Sequence, residues 1–382
     1  MRHVDRRLVL SAAAATSAAN LSWWMQPLIV HDLMTDFHAT EAAAALLVTA
    51  EFIAIAIAPL LLAKFAHKVR YRSICIAGAV FMVLGSFGTL VTHNYYVMLG
   101  VRAATGVGEG TFLMISTAAV AHLPNTHRVY AQLNVVNIIC GAALSLGIPP
   151  LMLWFTPSGL TLRVMAIVLT VLAMTSLVMP ASERYEPPTQ AGHDKPLSGR
   201  VVAIALAAFF LAAGTCATWS AYVVLGLHIG MSEVAIDHIV SYSVLSAIPA
   251  GMFATYLGEK FGRMPPIVVA ATVIVASIFV LTVTHEPTLF GICGCLNEAS
   301  MCFLVPYMFG IAAAEDPTGR AAAITGGAYL LTGAVGPMIA GSLIDFVGSW
   351  SIAWFVLAVA TTAVMLYAVI VRGLQRHAEV AA

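Results

Sequence analysis

Twelve apolar stretches, each close to the length of a bilayer crossing, follow one another along the 382-residue chain. They run over 8–30, 41–64, 73–92, 96–122, 129–154, 161–180, 201–227, 232–257, 265–284, 288–313, 321–345 and 350–371. A helix needs about 20 mostly apolar residues to cross the hydrocarbon layer. Lipid offers no hydrogen-bond partner to an open sheet edge, so repeated segments of this length are expected to be helices. Composition agrees: 60% of the residues are hydrophobic and 9% are charged, against about 25% charged in a soluble domain. The expected class is an all-α membrane protein with twelve transmembrane helices. The formal net charge is zero, which argues against a nucleic-acid partner. Membrane lipid and a small molecule are the expected partners.

The opening residues, basic, then apolar, then small, imitate a secretory signal. The stretch "GRVVAIALAAFFLAAGTCATWSAYVV" from Gly199 has the same plan in mid-chain, so the first segment is read as a retained span. The six cysteines all fall within apolar segments and are read as buried thiols. Cys293, Cys295 and Cys302 lack the spacing of a zinc site. The outer stretch "HDLMTDFH", 31–38, holds His31, Asp32, Asp36 and His38 and is read as a polar loop. No metal is expected.

Orientation follows from lysine and arginine. Sixteen of the 18 basic residues fall on one side of the twelve-span arrangement. The exceptions are Arg102, inside a span, and Arg163, at the opposite boundary. Both termini are therefore expected in the cytoplasm, and the protein in the cell inner membrane. The longest connection, 181–200, holds Pro187, Pro188, Gly192 and Pro196 and reads as a linker. It divides the chain into six-span halves, 1–180 and 201–382.

The halves repeat. Arg128 and Arg320, which precede the fifth and eleventh spans, stand 192 positions apart. The same offset relates Thr40-Glu41 to Ser232-Glu233, both hydroxyl-then-acid pairs suited to helix N-termini. It also relates the short turns "FAHKVRYR", 65–72, and "LGEKFGRM", 257–264. Weak internal symmetry of this kind marks secondary transporters.

Three stretches carry a family resemblance. "YLGEKFGRMP", 256–265, looks like the cytoplasmic signature of the major facilitator superfamily, with Gly258, Glu259, Lys260, Gly262 and Arg263 in its places. "RAATGVGEG", 102–110, resembles that superfamily's fourth-helix motif, an arginine followed by spaced glycines. "MQPLIVHDL", 25–33, resembles the end of the first helix in bacterial drug:proton antiporters and sugar-efflux relatives. The resemblance covers essentially the whole chain. It implies two pseudo-symmetric six-helix bundles enclosing one midplane site, open alternately to either side. It assigns the signature turn a gating role that favours the outward-facing arrangement, and places the fourth and tenth helices beside the substrate.

Charges inside the membrane are costly, about 2.5–3.5 kcal/mol each at mid-depth on insertion scales. Glu51, Arg102, Glu109 and Glu298 lie deep enough to meet that cost. Arg102 and Glu109 are seven residues apart, on one helix face but about 10 Å apart along it. Glu51 is therefore the better partner for Arg102, either as a structural pair that locks one bundle or as part of a water-linked group. Glu298 has no intramembrane basic residue in its own half. Burial favours a neutral carboxyl and a nearby arginine an ionised one, a balance suited to carrying a proton. Glu109 is the expected carrier, Glu298 the competing one.

Asn20, Gln26, Asn134 and Asn137 can bond between helices or to a substrate. By the resemblance, Trp23, Trp24, Trp219, Tyr222, Tyr307 and Tyr329 fall on cavity-facing spans, although packing and interface anchoring also suit such rings. No GxxxxGK[ST], HExxH or GxSxG pattern is present, so neither ATP nor enzymatic chemistry is expected. The expected function is proton-coupled efflux of a small amphipathic or aromatic molecule by a monomer that needs no cofactor. The alternative is proton-coupled uptake of a small organic acid through Arg102. Replacing the signature acid, Glu259→Ala, is expected to slow transport cycling without abolishing substrate binding, as transport and binding assays on one vesicle preparation can establish.

Overall fold

The computed structural model describes residues 3–37, 39–66, 70–120, 126–154, 159–175, 198–258, 260–315 and 320–381. They form thirteen helices. The first seven are α1 His3–Trp24, α2 Gln26–Phe37, α3 Glu41–Ala66, α4 Tyr71–Val91, α5 Tyr95–Val120, α6 Thr126–Trp154 and α7 Leu160–Met174. The remaining six are α8 Gly199–His228, α9 Glu233–Leu257, α10 Met264–Val283, α11 Pro287–Glu315, α12 Arg320–Phe346 and α13 Ser351–Ala381. Residues 181–197 of the expected linker lie outside the described residues.

Each predicted span corresponds to one helix except the first, which is divided at Met25 into α1 and α2. Pro27 follows the division. Its ring has no N–H to give to the carbonyl of Trp23 and crowds that carbonyl, so the regular ladder is interrupted there. The backbone bonds from Met25 to Leu21 and from Ile29 to Met25 persist on either side. The polar stretch after Val30 is not the expected loop. It continues as helix to Phe37, with Thr35 Oγ1 donating to the His31 carbonyl at 3.1 Å. His38 lies outside the described residues.

Eight helices, α3, α4 and α8 to α13, are long and apolar enough among the described residues to cross a membrane. The others all belong to the first half. The α1–α2 span is broken, α7 has 15 residues, and α5 carries Arg102 and Glu109. Outward faces are apolar where lipid would touch them. Val80, Leu84, Phe87 and Val91 form an exposed stripe along α4, the reverse of a water-facing helix.

The helices form two compact units, Met1–Gln190 and Ala191–Ala382. In the first, α5 packs on α3, α4 and α1, α1 packs on α6 and α7, and α4 meets α7. In the second, α11 packs on α9, α10 and α8, α8 packs on α12 and α13, and α10 meets α13. The pairings are identical once α1 is matched to α8 and α3–α7 to α9–α13. The helix starts repeat as well. Thr40 Oγ1 accepts the N–H of Ala43 and Ser232 Oγ that of Ala235, at 3.2 and 3.4 Å, each satisfying a donor the helix leaves unpaired.

Glycines set the closest approaches. A Cβ on Gly106 of α5 would fall 2.1 Å from the Glu51 carbonyl oxygen of α3, and one on Gly110 would fall 2.5 Å from that of Ile55. Gly108, on another face, would meet Met82 of α4 at 2.5 Å. The Gly-x-x-x-Gly spacing of 106 and 110 brings two backbones together as lipid-embedded helices require. Gly106→Ala is therefore expected to lower stability by about 1–3 kcal/mol, the usual cost of overpacking. Gly100→Ala, with nothing within 4 Å of its added methyl, should unfold no earlier than the parent. Thermal unfolding of the purified variants checks both.

Candidate functional site

The deepest charges of the first unit meet in one cluster. Glu51 on α3 and Glu109 on α5 are fully buried, and Arg102 is 2% exposed. The Arg102 guanidinium, through Nη2, is hydrogen-bonded and ion-paired to Glu51 Oε2. Glu109, two turns along α5, has no direct bond to the arginine. It is reached through α1 instead: Ser22 Oγ lies 2.7 Å from Glu109 Oε1 and 3.2 Å from Glu51 Oε1.

The serine has one hydroxyl proton. It can donate to one carboxylate only, so both contacts are hydrogen bonds together only when the other carboxyl group carries a proton and donates to Ser22 Oγ. Two buried atoms of the cluster have no partner among the described residues, Glu109 Oε2 and Arg102 Nε. One guanidinium faces two carboxyl groups, so the cluster is electrically balanced when it holds one proton. Close packing of α3 on Gly106 and Gly110 keeps the group in place.

Glu298, on α11 of the second unit, is 7% exposed. It makes no hydrogen bond or ion pair to any described residue. It lies within electrostatic reach of Cys216 and Tyr222 on α8, Cys295 and Cys302 on its own helix, and Tyr329 on α12. Asn297 beside it donates from Nδ2 to Tyr222 Oη at 3.0 Å, and Tyr222 donates on to the Gly294 carbonyl at 3.1 Å.

Several of the residues expected at the substrate already hold structural contacts. Asn20 Nδ2 donates to the Thr16 carbonyl of its own helix at 2.8 Å. Trp24 Nε1 donates to Asn137 Oδ1 at 3.2 Å, joining α1 to α6, where Gly141 leaves room for the indole. Trp23 packs edge-on against Phe52, with ring centroids 5.8 Å apart, and Trp219 against Tyr222 at 5.3 Å. Gln26 is buried and Tyr329 half-buried. The Asn134 side chain lies outside the described residues.

The signature turn after α9 is built as its glycines suggest. Gly258 has φ 52° and Gly262 φ 74°, a region that side-chain-bearing residues avoid. Tyr307 Oη on α11 donates to the Gly258 carbonyl at 2.8 Å, and Lys260 Nζ sits 4.1 Å from the centroid of the Tyr256 ring. Arg263 is half-buried before α10, and Glu259 lies outside the described residues.

Three contributors escaped the sequence reading. Ser22 and Asn297 hide among many small or polar helix residues, although the depth of Ser22 on the first span matches that of Glu51 and Glu109. Asp32 acts at a distance: its Oδ2 accepts the Leu162 N–H at 3.0 Å. Helix α7 begins after Gly159, which has no side chain to cap it, and the carboxylate of α2 fills that place favourably for the helix dipole.

Removing one partner of the buried ion pair strands the other. Arg102→Leu and Glu51→Leu should each cost about 3–5 kcal/mol of stability, and the double leucine variant should recover most of it. Thermal unfolding of the three purified variants measures this. A double variant that also transports normally would take both residues out of the mechanism.

The sequence matches the Major Facilitator Superfamily over residues 12–204 and again over 204–381. No curated protein matches it. The crystal structure of the nucleoside transporter NupG superposes with a TM-score of 0.71 at 13% identity, over 96% of this chain and 98% of that one. A bacterial homologue of the human lysosomal transporter Spinster, inward-facing and unoccupied, superposes with a TM-score of 0.71 at 12% identity, over 98% of each chain. At these identities the likeness is one of fold. With the family matched in both halves and the helix pairing repeated between them, the chain belongs to the Major Facilitator Superfamily: it is a multi-pass membrane transporter, not an enzyme, built as two pseudo-symmetric six-helix bundles of twelve transmembrane helices.

Proposed function

We propose that the protein exports a small amphipathic or aromatic molecule across the inner membrane by alternating access, in exchange for protons, as the drug:proton antiporter and sugar-efflux branch does. Both termini lie in the cytoplasm, and the working unit is a monomer driven by the proton gradient without a cofactor. The observation that carries the reading is the Ser22 hydroxyl set between two buried carboxyl groups. That geometry is satisfied by one proton held in the cluster, and Arg102 neutralises the remaining carboxylate.

Glu109 is the carrier in this scheme. The proton sits on its Oε1 and donates to Ser22 Oγ, which donates on to Glu51 Oε1, so it can leave without breaking the Arg102–Glu51 pair made through Glu51 Oε2. Glu51 and Arg102 set the local charge, and Glu298 is the second protonatable group, in the other unit. The signature turn from Gly258 to Arg263 gates the cycle.

Proton-coupled uptake of a small organic acid is the second reading. The buried, unpartnered Arg102 Nε favours it, because that N–H can donate to a substrate carboxylate. The two directions separate in reconstituted vesicles with an imposed pH gradient, screened against a compound library. Accumulation only when the lumen is acidic supports antiport, and accumulation only when it is alkaline supports symport.

Glutamine keeps the shape of glutamate and loses its titration. Glu109→Gln should abolish pH-driven transport of the compound found in that screen, yet leave its exchange between compartments of equal pH. Flux assays under both conditions check this. Coupling that survives in Glu109→Gln and disappears in Glu298→Gln moves the carrier to α11, and coupling that survives in both refutes the proposal.

A further inference from the structure

The signature turn is tied to α11 at its first residue. Tyr307 is 5% exposed, and its Oη donates to the Gly258 carbonyl at 2.8 Å. Two phenyl rings hold the tyrosine in direction. Phe303 lies against it with ring centroids 5.3 Å apart, and Phe253 of α9 stacks on Phe303 at 5.9 Å. Gly258 closes α9 by donating its N–H to the Ala254 carbonyl, and it leaves the helix with φ 52° and ψ −133°. Only glycine adopts such a conformation at low cost. Its carbonyl belongs to the first peptide plane of the turn. With that oxygen held, the plane cannot rotate without breaking the bond to Tyr307.

Helix α11 is weakened just before this tie. Pro306 stands inside the helix, and its ring has no N–H for the Cys302 carbonyl, so the backbone ladder lacks a rung there. Glu298 lies nine residues before Tyr307, about 13 Å along the axis, on the other side of the proline. A change of bend at Pro306 therefore alters the reach from Tyr307 to Gly258. The first unit has no equivalent. The offset of 192 carries Tyr307 to Ile115 and Gly258 to Ala66, and isoleucine has no hydroxyl to donate. The turn in that half also departs from the signature, with His67 in place of the acid and Arg70 in place of the glycine. The tie and the complete signature occur in the same half.

We propose that the Tyr307 hydroxyl is the catch by which α11 holds the signature turn, and that making or breaking this bond shifts the balance between the two access states. Tyr307 is a positioning residue: it acts through the turn and not on the substrate. The catch favours the state that the turn favours, outward-facing, and its release favours the inward-facing one. A bend in α11 reaches the gate by this route.

This inference rests on the gating reading of the turn, and its test keeps the two apart. Dyes on Tyr96→Cys and Thr288→Cys, exposed at the equivalent starts of α5 and α11, report the separation of the expected outer ends by single-molecule energy transfer in lipid nanodiscs. The six native thiols are buried or half-buried, and the protein without the added cysteines gives the labelling background. Tyr307→Phe removes the hydroxyl and keeps the ring. Gly258 is half-buried, so water can take its carbonyl and the melting temperature should change little. The net worth of one hydrogen bond corresponds to about a two- to tenfold change in an equilibrium, and the ratio of outward-facing to inward-facing molecules should fall by that factor. p-Aminophenylalanine at position 307 supplies a donor again and should restore the ratio. Gly262→Ala disturbs the turn directly, since φ 74° disfavours alanine, and adding Tyr307→Phe to it should shift the ratio little further. An unchanged ratio in Tyr307→Phe beside a shifted one in Gly262→Ala would overturn the catch and leave the gating reading standing. An unchanged ratio in both would overturn the two together. A fall in Tyr307→Phe that p-aminophenylalanine does not reverse would also overturn the catch.

Discussion

A guanidinium cannot shed its charge within the membrane, so its neighbours must neutralise it. Arg102 is answered by Glu51, and this pairing is inseparable from how α3 and α5 pack. The backbone of Glu51 itself rests where a side chain on Gly106 would stand. The missing methyl brings the two helices close enough for the ion pair, and the ion pair repays the exposure of helix backbone. Glu109 then lies beyond the reach of the arginine, and a hydroxyl from a third helix must bridge the gap. Three helices are thus tied together by four side chains.

The second unit shows what the same frame does without that charge. Its helices pair in the same pattern. The offset of 192 that relates the halves carries Glu51 to Ser243 and Arg102 to Gly294. Those two positions still face each other: a Cβ on Gly294 would lie 3.2 Å from Ser243 Oγ. The neighbourhood has been kept and its ionic content lost. The hydroxyl of Tyr222 and the amide of Asn297 occupy the region instead, and the only deep carboxyl group placed there by the sequence reading, Glu298, stands without an arginine.

How much of this was legible beforehand depended on the range of each interaction. Span positions, the caps at Thr40 and Ser232, and the preference of Arg102 for Glu51 over Glu109 all follow from local spacing, depth or helix geometry, and each is visible in the residues themselves. Ser22 is a small residue on an apolar helix, and only its depth hints at its place. Asp32 was read as part of a polar loop because nothing local shows that a carboxylate can serve another helix's end 130 residues away. Rotation about a helix axis is set by packing, so the aromatics expected at the substrate could be placed in depth but not in direction. Trp24, Tyr222 and Tyr307 turned out to be tethered to Asn137, Gly294 and Gly258.

The division of the first span at Met25 separates two anchorages. Below it, Ser22 holds the carboxyl groups of α3 and α5; above it, Asp32 grips the start of α7. Between them the proline has removed a rung from the backbone ladder. A rod clamped at both ends and thinned in the middle yields at the thin place first, so bending stress between these two attachments concentrates within a few residues of Pro27. The grip on α7 and the contact of Ser22 with the buried carboxyl groups are thereby mechanically insulated from one another.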